Sequence, residues 1–161
     1  MKSLAYFLLI VAFFATITSC QENGIVFPVK QNIEGDFEVV IDGEVFLTNN
    51  VSFTVTNQEI TITAIKTETN ETLILKVDDF SNTSFSLEGD ENVASYSLEN
   101  SANIDIWTTL NATTSRGNIQ FSEINFTNNT VSGTFSFIGR NDNLGSSKAF
   151  SNGSFSNVPR N

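Results

Sequence analysis

The groups that most often carry out nucleophilic catalysis occur here without the base that activates them. Serine is plentiful, but the sequence contains no histidine, which is the usual acceptor of the proton from a nucleophilic hydroxyl. A lysine could replace it, yet no spacing pairs a serine with Lys30, Lys66, Lys76 or Lys148. Zinc also lacks its preferred imidazole and thiolate ligands. We therefore predict a protein that is not an enzyme, with no catalytic residue, no metal and no cofactor.

Clustered carboxylates are the remaining groups that could do chemistry. Asp78-Asp79 and Glu88-Gly89-Asp90-Glu91-Asn92 both fall in predicted loops. A glycosidase needs two carboxyl groups at a set separation across a cleft, and calcium needs roughly six to eight oxygen ligands. Neither follows from acids that are merely close in sequence. We interpret both runs as solvated loops and keep a carboxylate-dependent, glycan-active enzyme as an alternative.

Trp107 is the candidate ligand-binding residue. In the run Ile104-Asp105-Ile106-Trp107, strand alternation places the indole on the face opposite Ile104 and Ile106. A tryptophan on the polar face of a sheet could stack on a sugar ring or anchor a protein partner. Packing beneath a second layer of the protein is the alternative.

The N-terminus predicts export. Met1-Lys2-Ser3 precedes an apolar run from Leu4 to Ala15, and small residues follow before Cys20, which are the parts of a secretory signal. A membrane-spanning helix needs roughly 20 apolar residues, and this run is shorter. We predict a cleaved signal peptide over residues 1–19.

Cys20 is the predicted site of lipid attachment. Ile17-Thr18-Ser19-Cys20 resembles the bacterial lipobox, and this resemblance implies cleavage before the cysteine, a diacylglycerol group on its thiol and acylation of its new amine. Because Cys20 is the only cysteine, it cannot form an internal disulfide, and a thioether to lipid accounts for it. Two or more acyl chains hold a protein firmly to a membrane. An ordinary secreted protein with a free thiol is the alternative.

The residue after the cysteine and the net charge bear on location and partners. Gln21 stands where, by resemblance to Gram-negative lipoproteins, an aspartate would signal retention at the inner membrane. We therefore expect the outer membrane, at its periplasmic face or at the cell surface. The net charge of −10 argues against nucleic acid as a partner, because phosphates would be repelled. The expected partners are the membrane, through the lipid, and an envelope protein or a glycan.

The rest of the chain alternates apolar and polar residues as strands do. Phe37, Val39 and Ile41 share one face, and Asp42-Gly43 after them is a strong hairpin signal. Similar runs recur to the C-terminus, and none of helical length has apolar residues at three-and-four spacing. We predict a single antiparallel meander that forms a β-sandwich or a flattened barrel, over residues 34–161. Residues 20–33, which lack periodicity, are predicted to be a flexible tether.

Two alternating sets of apolar residues could form the inner face of the second predicted strand. Val45 and Leu47 continue the apolar alternation after the hairpin, whereas Phe46 is out of phase with them. Phe46 therefore presents the same choice as Trp107, between an exposed binding residue and a packed one.

A small residue precedes phenylalanine at several places, and we interpret this as one inward-facing strand arrangement used repeatedly. The copies are Asn82-Thr83-Ser84-Phe85-Ser86, Gly133-Thr134-Phe135-Ser136 and Gly153-Ser154-Phe155-Ser156.

The last two copies, in Val131–Phe137 and Ser151–Phe155, resemble the closing signature of a family of small Bacteroidetes-type lipoproteins of unknown function. The hairpin in Val39–Thr48 is similar to the opening of that family. The resemblance implies an all-β fold and an envelope location, and it carries over no enzymatic residue. We predict a lipid-anchored cell-envelope protein, a non-enzymatic binding or scaffolding module. A lipocalin-like carrier of a small apolar ligand is the second alternative, and it would need an internal cavity.

Overall fold

The computed structural model describes residues 36–79, 81–114 and 116–161, and all the regular structure in these ranges is β-strand. The predicted signal peptide, the tether and Cys20 lie outside the described residues. Within them, no helix is long and apolar enough to cross a membrane. The strands are β1 (Asp36–Ile41), β2 (Glu44–Thr48), β3 (Val51–Thr56), β4 (Glu59–Lys66), β5 (Glu71–Val77), β6 (Ser84–Ser86), β7 (Val93–Glu99), β8 (Ile104–Thr108), β9 (Gly117–Asn125), β10 (Thr130–Asn141) and β11 (Ser146–Pro159).

These strands form one 11-stranded antiparallel sheet that nearly closes into a barrel. Its order is β2-β1-β11-β10-β8-β7-β5-β4-β3, and β9 pairs with β10 while β6 pairs with β9. The predicted all-β antiparallel fold is confirmed. Many neighbours in the sheet are neighbours in sequence, as in a meander, but β1 pairs with β11. The first hairpin therefore joins the last strand, which brings the two ends of the described chain together.

The two ends of the strand order, β2 and β3, follow one another along one line of the barrel wall. Only Asn49 and Asn50 separate them in sequence. The Ile65 N–H donates to the Asn50 carbonyl at 2.9 Å, and the Thr48 hydroxyl donates to the Ile65 carbonyl at 2.7 Å. The wall is therefore joined to β4 at this break, where β2 gives way to β3.

Phenylalanine rings fill the interior of the barrel. Phe137 and Phe150 stack in parallel with their ring centroids 4.0 Å apart, and Phe37 meets Phe135 at 5.1 Å. These ring contacts are typical of the close packing of protein cores. The buried phenylalanines of the main core are Phe37, Phe46, Phe53, Phe85, Phe121, Phe135, Phe137, Phe150 and Phe155.

The repeated glycine–phenylalanine pattern forms a reciprocal contact between β10 and β11. Gly133 lies opposite Phe155, and Phe135 lies opposite Gly153. A Cβ atom added to Gly133 would lie 2.6 Å from the Phe155 ring, and one added to Gly153 would lie 2.6 Å from the Phe135 ring. Each glycine thus leaves room for the ring of the other copy. The interpretation of a small residue beside an inward phenylalanine is confirmed.

The structure decides between the two apolar sets of β2. Phe46 is buried, whereas Val45 and Leu47 are each 56% exposed. Both sets alternate correctly, but alternation alone does not say which set faces the core. Phe46 faces the core because burial of an aromatic ring removes more apolar surface from water than burial of valine or leucine does.

Candidate functional site

A cleft of about 450 Å³ opens at one end of the barrel, where β2 separates from β4. It is lined on one side by β2 and the β1–β2 turn, and on the other by the end of β4 and the start of β5; β7 and the start of β11 complete it. We call it the mouth cleft. Its polar residues are Asp42, Glu44, Lys66, Thr69, Glu71, Tyr96 and Lys148.

The mouth cleft follows from the strand pairing. The β3–β4 ladder begins where Val51 lies opposite Ala64, so the last two residues of β4, Ile65 and Lys66, extend beyond it. Beyond the pair of Val51 and Ala64, the strand next to β4 in the wall is β2 and no longer β3. β2 pairs with β1 and not with β4. The wall therefore separates into a wedge that widens towards the β1–β2 turn.

Among the acidic residues of the cleft, Glu71 makes the most hydrogen bonds and ion pairs. Its Oε1 accepts a hydrogen bond of 2.5 Å from the Tyr96 hydroxyl, its Oε2 accepts one from the Thr69 hydroxyl, and the Lys66 Nζ lies 3.9 Å from Oε2. Burial of Tyr96, together with its hydrogen bond to the Glu71 carboxylate, raises the pKa of the phenol well above its ordinary value. Tyr96 is therefore a neutral hydrogen-bond donor at physiological pH.

Lys148 is held on the opposite side of the cleft. Its Nζ lies 3.4 Å from Asp42 Oδ2 and 4.9 Å from the centre of the Trp107 ring, over its face. Asp42 is itself fixed, because its Oδ1 accepts from the Ala149 N–H at 2.8 Å. Lys148 therefore combines an ion pair with a cation–π contact.

Lys66 and Glu44 complete the charged groups of the cleft. The Lys66 Nζ lies over the Phe46 ring, 5.7 Å from its centre, which repeats the contact between Lys148 and Trp107. The Glu44 carboxylate is exposed and makes no hydrogen bond or ion pair with the residues that the structure describes. Glu44 is thus an acid of the cleft that remains available to a ligand.

Trp107 lies inside the barrel and not on an exposed polar face. Only 6% of it is exposed, whereas Ile104 and Ile106 are 60% and 48% exposed. The predicted alternation is right, and the larger aromatic side chain faces the core, for the same reason as in β2. The indole N–H donates to the Ser146 hydroxyl at 3.1 Å, and the ring packs on Tyr96 at 5.8 Å.

With Lys148 over its face, the Trp107 ring has little surface left on which a sugar could stack. It supports the cleft from below, through Lys148 and Tyr96. This position matches the packing alternative given above. Direct ligand binding by Trp107 stays a prediction, as does lipid attachment at Cys20.

The acidic loops are adjacent but open to solvent. The Asp78 N–H donates to the side-chain oxygen of Asn92 at 3.1 Å, while Asp78, Asp79, Asp90 and Glu91 are exposed. Within the described ranges, no group of three or more His, Cys, Asp and Glu residues is arranged to hold a metal ion. The arrangement is that of solvated loops.

The mouth cleft itself was missed from the sequence. Its residues come from six strands and two turns, and none of them stands close to another in a recognisable motif. The only local signal was Asp42-Gly43, which marked the turn but not its neighbours across the wall. The pairing of β1 with β11 brings Asp42 to Lys148, and period-two alternation does not predict that pairing.

The fold and the cleft define a class: a small, nearly closed antiparallel β-barrel with a packed interior and a charged mouth. The chain belongs to the family described as a domain of unknown function, DUF6252, which matches residues 34–159. No curated protein and no solved structure matches the chain. The family match agrees with the predicted membership of a family of unknown function.

Proposed function

We propose that this protein is a lipid-anchored, non-enzymatic binding module of the cell envelope, and that the mouth cleft is its binding site. The observation that carries the proposal is the cleft: an opening in a phenylalanine-packed barrel, lined by fixed charges of both signs. Ligand sites of β-barrels commonly lie at their mouths and use a few positioned polar groups for specificity. Glu71 and Lys148 are such groups, since each is held by several contacts.

The state of the cleft residues supports binding over catalysis. A general acid or base works best when its pKa lies near the operating pH, whereas the pKa of Tyr96 is raised away from it. A glycan-active enzyme would need two free carboxyl groups facing one another. Of the cleft acids, Glu71 and Asp42 are each engaged by hydrogen bonds and a lysine.

The packed interior argues against the lipocalin-like alternative. A second cavity, of about 150 Å³, lies at the other end of the barrel between Phe53, Ile60 and Ile124. Typical ligand pockets hold roughly 300 Å³ or more. An apolar ligand of the size that such carriers transport would have to displace phenylalanine rings.

The lipid anchor rests on the sequence Ile17-Thr18-Ser19-Cys20 and the single cysteine. Mass spectrometry of the N-terminal peptide, purified from a native membrane, tests it. We expect a chain that begins at Cys20 and carries a diacylglycerol thioether. A chain that begins at Met1, or a free thiol on Cys20, would contradict the anchor and leave the cleft proposal standing.

Binding is tested with glycan arrays and with affinity purification from solubilised envelopes, using the wild-type protein, Glu71→Gln and Glu91→Gln. Glu91→Gln is the matched control, because it removes the same charge from an exposed loop outside the cleft. We expect a glycan or a defined envelope protein to bind the wild type and the control, and to bind Glu71→Gln more weakly. Equal binding by all three proteins would place the site elsewhere.

A further inference from the structure

β2 presents an unpaired edge to the mouth cleft. It ends the strand order and pairs only with β1. Asp42 and Gly43 have positive φ angles of 50° and 97°, as in the two-residue turns of tight hairpins. In such a hairpin Ile41 and Glu44 form the closing hydrogen-bonded pair, so the N–H and C=O groups of Val45 and Leu47 point away from β1. These groups are directed at the cleft side of β2.

The other end of the strand order, β3, and the end of the side branch, β6, are both protected. The Asn161 N–H donates to the Phe53 carbonyl at 2.9 Å, and Arg160 bridges Phe53, so the end of the chain covers β3. β6, which ends the branch through β9, is only three residues long. Short or covered edges are the usual defence against unwanted strand pairing. β2 has neither protection, and it contains no proline, no lysine and no bulge in its pairing with β1.

The space beside this edge is the cleft itself. The hydrogen bond between β2 and β4 joins Thr48 to Ile65, and the wedge widens from there towards Glu44. An extended segment laid along β2 would point alternate side chains to opposite faces. One set would meet Val45 and Leu47 on the outside, and the other set would meet Glu44, Phe46 and Glu71 in the cleft.

We propose that β2 binds an extended segment of a partner protein by strand addition, with apolar residues facing outwards and basic residues facing the cleft. This inference rests on the proposed function and specifies the partner. The exposed Val45 and Leu47 supply the apolar contact across the new strand pair. The backbone groups of the same two residues supply the hydrogen bonds.

The charge of the cleft indicates which kind of partner segment it would attract. The cleft holds three carboxylates, Asp42, Glu44 and Glu71, against two lysines, Lys66 and Lys148, so its balance is 2 − 3 = −1. The whole chain carries −10. A basic segment is therefore attracted, whereas a second copy of this chain is repelled.

The probe is a synthetic ten-residue peptide of alternating valine and lysine, added to the full-length protein in detergent. A valine–glutamate peptide of the same length is the charge control. We expect the basic peptide to bind, to slow hydrogen exchange at the Val45 and Leu47 amides, and to bind more weakly at high salt. We expect the acidic peptide not to bind. Equal binding of the two peptides, or no binding of the basic one, would overturn the inference.

Val45→Pro tests the role of the backbone. Proline removes an N–H that points away from β1, so the β1–β2 ladder keeps its bonds; Val45→Thr keeps the N–H and is the matched control. We expect Val45→Pro to weaken peptide binding roughly tenfold or more and Val45→Thr to leave it nearly unchanged. If Val45→Pro does not fold, the test uses the wild-type protein and a basic peptide that is N-methylated at alternate residues. We expect this peptide not to bind, and its binding would overturn strand addition.

The outcomes separate this inference from the proposed function. Peptide binding that is lost in Glu71→Gln but kept in Val45→Pro and with the N-methylated peptide would overturn strand addition and retain the cleft as a binding site. A wild-type dimer in sedimentation velocity that Val45→Pro disperses would overturn the inference in favour of a second copy. Failure of the peptide together with equal ligand binding by wild type and Glu71→Gln would overturn both proposals.

Discussion

At the scale of single residues, the burial of Tyr96 and its contact with Glu71 make the stability of the fold depend on alkaline pH. The folded state keeps the Tyr96 proton to a higher pH than the unfolded chain does, because the pKa of the phenol is raised from its ordinary value of 10.0. Above that value the unfolded state binds fewer protons than the folded state, so the free energy of unfolding falls as the pH rises. The stabilisation that comes from the raised pKa of Tyr96 is complete below the unfolded pKa. It is lost as the pH rises from that value through the pKa of the folded state.

Tyr96→Phe is expected to remove this pH dependence along with the hydroxyl. The substitution deletes the 2.5 Å hydrogen bond to Glu71 and should lower the free energy of unfolding by about 1–2 kcal/mol near neutral pH. Urea denaturation at roughly pH 8 and pH 10.5 tests both points, since these values bracket the unfolded pKa. Wild type should lose more stability between them than Tyr96→Phe does; equal losses would contradict the assignment of the pH dependence to Tyr96.

The reciprocal glycine–phenylalanine contact predicts a coupled effect on stability. Gly153→Ala places a methyl group against the Phe135 ring and should cost about 1–3 kcal/mol through overpacking. Phe135→Leu in the same chain should recover part of this loss, because the smaller side chain makes room. Ser151→Ala, at an exposed position of the same strand, is the control and should change stability by about 0.5 kcal/mol or less. Additive effects in a double-mutant cycle would contradict the contact.

At the scale of strands, the sequence predicted the elements well and their orientation less well. The alternation around Phe37 and the Asp42-Gly43 turn predicted the first hairpin correctly. In β2 and β8 both faces carry apolar residues, so the period of two left the inward face open. In both strands the larger aromatic side chain faces the core, and Val45 and Ile106 lie at the surface.

The functional site was less accessible to sequence analysis, because the cleft depends on long-range pairing. Lys148 meets Asp42 over 106 positions of the chain, and Tyr96 meets Glu71 across the β5–β7 pair. Each of these residues has an ordinary local sequence context. Trp107 was singled out for its type, and its place beneath Lys148 became visible only with the strand order.

The covered edge of β3 gives a prediction for the C-terminus. A chain that lacks Arg160 and Asn161 loses the hydrogen bond from the Asn161 N–H to the Phe53 carbonyl and the bridge at Arg160. The uncovered edge should promote self-association, seen as earlier elution in size-exclusion chromatography. Arg160→Ala keeps the backbone and should elute as wild type does. Unchanged elution of the truncated chain would show that the last two residues do not protect this edge.

At the scale of the whole molecule, the proposed lipid anchor can be tested separately from the barrel. Cys20→Ser should release the protein from the membrane fraction, because attachment is proposed to depend on lipid at that thiol. Cell fractionation and immunoblotting measure the distribution. Retention of Cys20→Ser in the membrane fraction would contradict lipid-dependent attachment.

The position of β1 between β2 and β11 has a mechanical consequence. β1 is bonded on both sides, to β2 and to β11, so a force applied to its N-terminal end acts on both pairings. Because ladder hydrogen bonds run perpendicular to the strands, tension along β1 loads two rows of them together in shear instead of opening them one by one. A force along β1 would therefore have to break both rows together to extract this strand.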